Sequence, residues 1–193
     1  MRHAGIALKG FVIREAERSE IAEIQTFNDS NPEYWFLTHG HPPPPDDAAR
    51  AFDAHPPADM SYCEDLWFIV RDESGTIVAQ MAVATDLMAA GVYHLGFFIV
   101  ATQSWGRGLA PRLHGAYQHW SIERGARWLR LGVVEANPRA RVFWERLGYE
   151  EVRRRDGYEL GTLLHRLITM VKPLPGQTLG GYLAAVPRDA LPG

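Results

Sequence analysis

An apolar strand that runs into a glycine-containing turn and then a helix limits the fold of this chain more than any other feature. Residues 93–100 are apolar nearly throughout, which is typical of a strand buried on both faces. Gly106 and Gly108 follow, and Leu113, Tyr117 and Trp120 lie on one side of the helix predicted at 108–123. Such a unit requires neighbouring strands on both sides and helices covering the sheet.

Hydrophobic patterns elsewhere predict the remaining elements of one α/β (α+β) sandwich. Residues 72–75 form a good hairpin turn between two β-rich segments. Strands are predicted at 11–14, 66–70, 76–85, 128–134, 149–153 and 163–171, and helices at 46–54, at 138–147 and from Ser19, as its cap, through Phe27. The order predicts a mixed central sheet flanked by helices.

The length of 193 residues suits one hydrophobic core, and residues 1–172 are predicted as a single domain. The proline-rich segment 31–57 is predicted as a surface excursion, with an extended run at Pro42–Pro45 and a short helix after it. Residues 173–193 contain Pro and Gly without lasting periodicity. This tail is either loose or docked on a partner subunit, so a homodimer is left open.

The cysteine content and hydropathy point to the cytoplasm. Cys63 is the only cysteine, which excludes an internal disulfide framework and fits a reducing compartment. No apolar run approaches the roughly 20 residues that a membrane-spanning helix needs, and the first ten residues lack the apolar core of a signal peptide. We therefore expect no membrane association and no export.

Charge is distributed unevenly along the sequence. Residues 1–105 contain 6 Lys and Arg against 15 Asp and Glu, whereas residues 106–172 contain 13 against 7. A nucleic-acid-binding protein usually has a stronger overall basic excess, so no nucleic acid is expected as a partner. The pattern suggests an anionic ligand held by the second half, or two surfaces that are merely solvated.

The turn before the helix at 108–123 has the features of an anion cradle. Glycines let the main chain approach a ligand closely, and a helix start adds free N–H donors. The spacing of Gly106 and Gly108 differs from the dinucleotide fingerprint and from the P-loop. A glycine pair before a helix is also a common structural turn, so both interpretations stand at this point.

Residues 100–110 resemble motif A of the GNAT acetyltransferases, in which Arg or Gln, two residues, Gly, one residue and a small residue follow the fourth strand. Trp105 takes the Arg/Gln place, Gly108 the glycine and Ala110 the small residue. Residues 131–149 are similar to motif B of that family. The matching residues are Asn137, the aromatic–Glu pair at 144–145 and Leu-Gly-Tyr at 147–149. The front half, from Asn31 to Trp35, resembles an uncharacterised bacterial branch.

The resemblance implies a mostly antiparallel sheet and acetyl-CoA as co-substrate. Main-chain groups of the fourth strand would pair with the pantetheine arm, and the turn would hold the diphosphate. The implied cofactor-binding residues are Phe98, Ile99, Val100, Trp105, Gly106, Arg107, Gly108, Leu109, Ala110, Asn137, Phe143 and Trp144. Asn137 is also expected to cap the helix that follows it.

Acetyl transfer to an amine needs a group that takes the amine proton, because a free alkylammonium has a pKa of about 10.4. The candidate bases are Glu135, after the fifth strand, and His94, in the fourth. Trp144 stands where the family has its acidic tyrosine, so Tyr149 or Tyr158 substitutes or the thiolate leaves without help. His39 and His41 have no recognisable third ligand, so no metal site is predicted.

The acceptor is predicted only by class. Segments of the front half supply acceptor contacts in this fold, which makes Glu33, Tyr34 and Trp35 the candidate substrate-binding residues. The leading hypothesis is an N-acetyltransferase that acts on a primary amine of a small molecule or protein. The alternatives are a non-catalytic CoA-binding sensor or assembly module, and an acyltransferase that uses a longer acyl chain.

Overall fold

Seven strands form one sheet in the computed structural model, which describes residues 5–190. The sheet order is β1-β2-β3-β4-β5-β7-β6. Every neighbouring pair is antiparallel except β4 and β5, which run parallel. The strands are β1 (Val12–Glu15), β2 (Glu64–Arg71), β3 (Ile77–Thr85), β4 (Val92–Val100), β5 (Trp128–Val134), β6 (Glu150–Leu160) and β7 (Leu163–Pro173). The predicted α/β class with a mostly antiparallel sheet is confirmed.

Six α-helices cover the two faces of this sheet. They are α1 (Ile21–Asp29), α2 (Glu33–His39), α3 (Asp47–Asp53), α4 (Leu109–Glu123), α5 (Pro138–Arg146) and α6 (Leu179–Ala185). None of the helices described between residues 5 and 190 is long and apolar enough to cross a membrane.

Alternate residues of β4 direct their side chains into different hydrophobic clusters. Leu95 and Val100 pack with Leu113 and Tyr117 of α4, and we call this side the α4 face. The opposite side, the α2 face, buries Ile99 with residues of α1, α2 and α3. Burial on both sides explains why the sequence of β4 is an almost unbroken apolar run.

The segment after β7 packs on the sheet of its own chain. Tyr182 of α6 and Val186 pack on a cluster that includes Trp128 of β5 and Val171 of β7. A 3-10 turn, Pro187–Ala190, follows, and the side chain of Asp189 within it is buried against Arg130 of β5. Up to residue 190, where the described part of the chain ends, the segment packs on this chain's own sheet, which neither of the two alternatives anticipated.

One helix was not predicted, and two local predictions are wrong. Helix α2 forms within the segment predicted as a surface excursion and ends at Gly40, whose φ of 78° suits only glycine well. Seven residues give too few turns for a helical period to stand out from the surrounding prolines. The strand predicted at 149–153 continues to Leu160. A capping box formed by Glu17 and Glu20, rather than Ser19, precedes α1.

Candidate active site

Strands β4 and β5 separate part-way along their length. Their pairing ends at Leu95 and Leu131, although β4 continues to Val100 and β5 to Val134. The register between β3 and β4 shifts at the same level, where Gly96 is the extra residue of a bulge. Bulges bend a strand and increase its twist, so the bulge turns β4 away from β5. The result is an opening in the sheet bordered by the main chain of residues 96–100.

The side chains beside this opening belong largely to the core. Ile99 and Val100 are buried, on the α2 face and the α4 face respectively. The Phe98 ring stacks at 6.5 Å on Phe143 and meets Trp144 edge-on at 5.5 Å between ring centroids. The opening can therefore offer a ligand main-chain N–H and C=O groups of β4, with the aromatic residues of α5 behind them.

The glycine-containing turn lies between the end of β4 and the start of α4. Gly106 and Gly108 have φ values of 74° and 76°, and a Cβ atom on either would meet nothing within 4 Å. Within residues 5–190, the main-chain N–H groups of Gly106, Gly108, Leu109 and Ala110 donate no hydrogen bond. Free donors beside open space at a helix start can bind an anion.

Trp105 and Arg139 connect this turn to α5. The Trp105 indole N–H donates to the Val100 carbonyl at 3.0 Å. The Arg139 guanidinium carbon lies 4.3 Å from the centroid of the Trp105 ring, in cation–π geometry. Asn137 caps α5, as expected, by accepting a hydrogen bond from the Ala140 N–H at 3.0 Å. Sequence reasoning missed Arg139, because only the folded chain brings it to Trp105.

Helix α2 packs against β4 on the α2 face of the sheet, beside the same opening. The Tyr34 ring meets Phe97 of β4 edge-on at 5.2 Å between centroids. At the other end of α2, the Thr38 carbonyl lies 2.7 Å from His165 Nε2, and the His39 carbonyl accepts from the Thr162 N–H at 2.9 Å. This helix thus extends from β4 to the β6–β7 hairpin.

The three predicted acceptor residues have different surroundings in α2. Glu33 is exposed and accepts a hydrogen bond from the Thr102 hydroxyl at 2.8 Å, which ties α2 to the segment after β4. Tyr34 is partly buried, and burial raises the pKa of its hydroxyl to about 12. Trp35 is only 2% exposed and packs behind Tyr34 in the core, so it supports this wall rather than lining it.

His94 lies on the α2 face of β4, between the parts covered by α2 and by the tail. Its Nδ1 lies 3.2 Å from Nη1 of Arg130, the residue with which it is in register on β5. Burial, together with the positive charge of Arg130, lowers the pKa of His94 to about 3. The imidazole is therefore neutral at physiological pH.

Glu135 is exposed at the end of β5, remote from His94. Its carboxylate forms ion pairs with Arg154 at 3.6 Å and with Arg166 at 3.4 Å. Because His94 is in register with Arg130 and strands rise about 3.3 Å per residue, the two candidate bases lie about 16 Å apart along the sheet. The structure does not bring them together in one site.

The residues considered for protonating the leaving thiolate lie mostly in the core. Trp144 is buried against Phe98 and Tyr149. The Tyr149 hydroxyl lies 3.0 Å from His114 Nε2, and burial raises the pKa of Tyr149 well above its usual value. Tyr158 is partly buried in the β6–β7 hairpin, under the Arg155 guanidinium. Tyr149 is therefore unsuited to protonate a leaving group in the opening.

Residues 23–149 match the sequence model of the Acetyltransferase (GNAT) family. The chain belongs to the GNAT acetyltransferase family. The match includes the turn at 105–108 and the segment around Asn137, and it confirms the resemblance on which those residues were selected. Among residues 5–190, no group of three or more His, Cys, Asp or Glu side chains is placed to hold a metal ion.

Solved structures of GNAT proteins share this fold at low sequence identity. An acetyltransferase from Thermus thermophilus has a TM-score of 0.67 at 18% identity, covering 89% of this chain and 100% of that chain. The ribosomal-protein-S18-alanine N-acetyltransferase from Escherichia coli has 0.64 at 18% identity, covering 87% and 96%. Spermidine N-acetyltransferase from Vibrio cholerae, in complex with CoA and spermine, has 0.65 at 16%, covering 86% and 96%. No curated protein sequence matches this chain.

Proposed function

We propose that this GNAT protein is an N-acetyltransferase that moves an acetyl group from acetyl-CoA to a primary amine by direct transfer. The observation that carries the proposal is that β4, after its pairing with β5 has ended, leads within a few residues to a turn with free N–H groups and open space at its glycines. The free N–H groups of Gly106, Gly108, Leu109 and Ala110 suit a diphosphate. The main chain of Phe98 to Val100, which pairs with β3 but not with β5, suits an amide-bearing arm.

The acetyl end of the donor would lie near Gly96, where the opening begins. Helix α2 and the tail approach this point on the α2 face, so the acceptor amine would enter between them, past Tyr34. The amine nitrogen forms a bond to the carbonyl carbon, the carbon–sulfur bond breaks, and the amine proton passes to water or to a base. Glu135 remains a candidate base through water, despite its ion pairs.

We infer that no dedicated acid protonates the leaving thiolate. Trp144 stands at the position of the family's tyrosine, and its indole N–H does not act as an acid at neutral pH. A free thiol has a pKa of about 8.5, so a thiolate is a tolerable leaving group without a proton.

A non-catalytic CoA-binding sensor is the second candidate, and the tryptophan at position 144 is the observation that favours it. The deciding measurement is thiol release from acetyl-CoA across a panel of amines. The panel includes spermidine and peptides with an N-terminal alanine, because the names of two proteins with similar structures contain these acceptors. We expect acceptor-dependent release with at least one amine. Tight CoA binding with no release on any acceptor would identify a sensor instead, and a panel of acyl-CoA donors would reveal a preference for longer chains.

Arg139 is expected to contribute to CoA binding, because the Trp105 ring holds its guanidinium beside the proposed diphosphate cradle. No carboxylate within residues 5–190 forms an ion pair with it. Arg139→Ala should weaken acetyl-CoA binding about 10-fold, the loss of one charge-assisted contact. Isothermal titration calorimetry at two salt concentrations should also show a smaller salt dependence for the variant.

Arg127→Ala is the matched control for Arg139. The guanidinium of Arg127 also lies 4.3 Å from the centroid of a tryptophan ring, in this case Trp128. Its Nε donates a hydrogen bond to Gln177 of the tail. Arg127→Ala should leave acetyl-CoA affinity unchanged. Equal losses in the two variants would show that a general change in surface charge, rather than a contact to the ligand, explains the effect.

We also propose the cytoplasm as the location, consistent with the single, exposed and unpaired Cys63. A homodimer remains a hypothesis, which sedimentation equilibrium would decide. Because the tail covers this chain's own sheet, such a dimer would use another surface.

A further inference from the structure

A row of polar side chains links the end of the tail to His94. Asp189 is 1% exposed, and it accepts hydrogen bonds from Arg130 Nε at 2.9 Å and from the Tyr182 hydroxyl at 2.5 Å. Arg130 Nη1 lies 3.2 Å from His94 Nδ1. The carboxylate therefore fixes one edge of the guanidinium, and another N–H of the same rigid fork reaches the imidazole.

The chemistry of arginine fixes the tautomer of His94. A guanidinium has only donors and keeps its charge at any pH that a protein meets, so His94 Nδ1 must accept. A neutral imidazole whose Nδ1 accepts carries its proton on Nε2. Nε2 then has no lone pair with which to take a proton from an amine. The ring can act on a ligand only as a hydrogen-bond donor.

Nε2 lies beside the opening between β4 and β5. A Cβ atom placed on Gly96 would be 3.7 Å from His94 Nε2, and Gly96 is the extra residue of the bulge where the opening begins. Within residues 5–190, Nε2 has no hydrogen-bond partner. Because residue 96 has no side chain, a ligand group at the bulge could approach this N–H.

We propose that His94 donates a hydrogen bond from Nε2–H to the carbonyl oxygen of the thioester, rather than acting as a general base. The inference rests on the proposed acetyl transfer. When the amine nitrogen attacks the carbonyl carbon, the electron pair of the C=O bond moves to oxygen, and Nε2–H stabilises that charge. When the carbon–sulfur bond breaks, the pair returns. His94 neither gains nor loses a proton, and Arg130 and Asp189 are positioning residues.

Paired substitutions distinguish a donor from a base. His94→Gln keeps an N–H group at a similar distance from the main chain but cannot serve as a base, whereas His94→Ala removes both functions. The donor role predicts a fall in kcat of about 100-fold for His94→Ala, the usual effect of losing one oxyanion donor, with an unchanged Kd for acetyl-CoA. His94→Gln should keep kcat within about 10-fold of wild type. Thermal unfolding of both variants checks that they fold.

Two kinetic outcomes would overturn the proposal. Equal loss of kcat in His94→Gln and His94→Ala would show that an N–H group at this position does not support the reaction, and would contradict the donor role. Full activity in His94→Ala would show that the imidazole has no part in the reaction.

A spectroscopic measurement tests the donor directly, without turnover. In long-range proton–nitrogen NMR spectra of the wild-type protein at neutral pH, His94 should carry its proton on Nε2. A ketone analogue of acetyl-CoA, with CH₂ in place of sulfur, should move that proton resonance downfield when it binds. A proton on Nδ1, or no movement with the analogue bound, would contradict the proposal.

Failure of the proposed acetyl transfer and failure of the donor role of His94 give different results. If the wild-type protein binds acetyl-CoA but acetylates no amine, the proposed transfer is wrong and the catalytic role of His94 is wrong with it. If the wild-type protein acetylates an amine but the two His94 variants lose equal activity, only the donor role is wrong.

Discussion

Gly108→Leu is expected to weaken acetyl-CoA binding by at least about 100-fold while the protein still folds. A Cβ on Gly108 meets nothing within 4 Å, so the leucine side chain would project into the space proposed for the diphosphate. Loss of close main-chain approach removes charge-assisted hydrogen bonds of about 1.5–3 kcal/mol each, and 100-fold corresponds to about 2.7 kcal/mol. Isothermal titration calorimetry with acetyl-CoA measures the loss.

Gly125→Leu provides a control with the same backbone strain. Gly125 has a φ of 90° and open space around its Cα, as Gly108 does, but it follows the other end of α4. Each leucine should cost about 1–2 kcal/mol of folding free energy, because the left-handed region is unfavourable for a residue with a Cβ. Only Gly108→Leu should affect binding. If Gly108→Leu bound acetyl-CoA as tightly as the wild type does, the turn would not be part of the CoA site.

Asp189→Ala is expected to lower the free energy of unfolding by about 3–5 kcal/mol, the usual cost of leaving a buried charge without its partner. Arg130 would lose its carboxylate while its side chain stays 11% exposed between β5 and the tail. Burial alone would raise the pKa of Asp189, but the hydrogen bond and charge of Arg130 outweigh it, and the pKa is lowered. The carboxylate is therefore charged at neutral pH. Urea unfolding of the purified variant measures the change.

Asp59→Ala is the matched control for the tail. Asp59 pairs at 2.8 Å with Arg188, the residue before Asp189, but this pair is exposed. Exposed ion pairs contribute about 0–1 kcal/mol, so this variant should unfold almost as the wild type does. A similarly small loss for Asp189→Ala would mean that Arg130 reaches solvent when its partner is removed, and that the tail is held mainly by Tyr182 and Val186.

Local patterns predicted most of the sheet and the cofactor half of the candidate site. The apolar run that became β4, the glycine pair and the stripe on α4 depend on burial, main-chain freedom and helical spacing, which the sequence shows directly. Asn137 was expected to cap α5 and does so, since a cap involves residues only three apart. These features would be interpreted the same way in any chain that carries them.

Only the tertiary structure decided which distant side chains meet at the site. Arg139 meets Trp105, and Asp189 reaches Arg130 and through it His94, across long stretches of chain. Sequence patterns record the period of an element and the chemistry of a turn, but not which distant side chain will fill a neighbouring position. His94 could therefore be selected as a reactive residue from its place in a strand. Which of its nitrogens carries the proton depends on Arg130, and only the folded sheet places that arginine beside it.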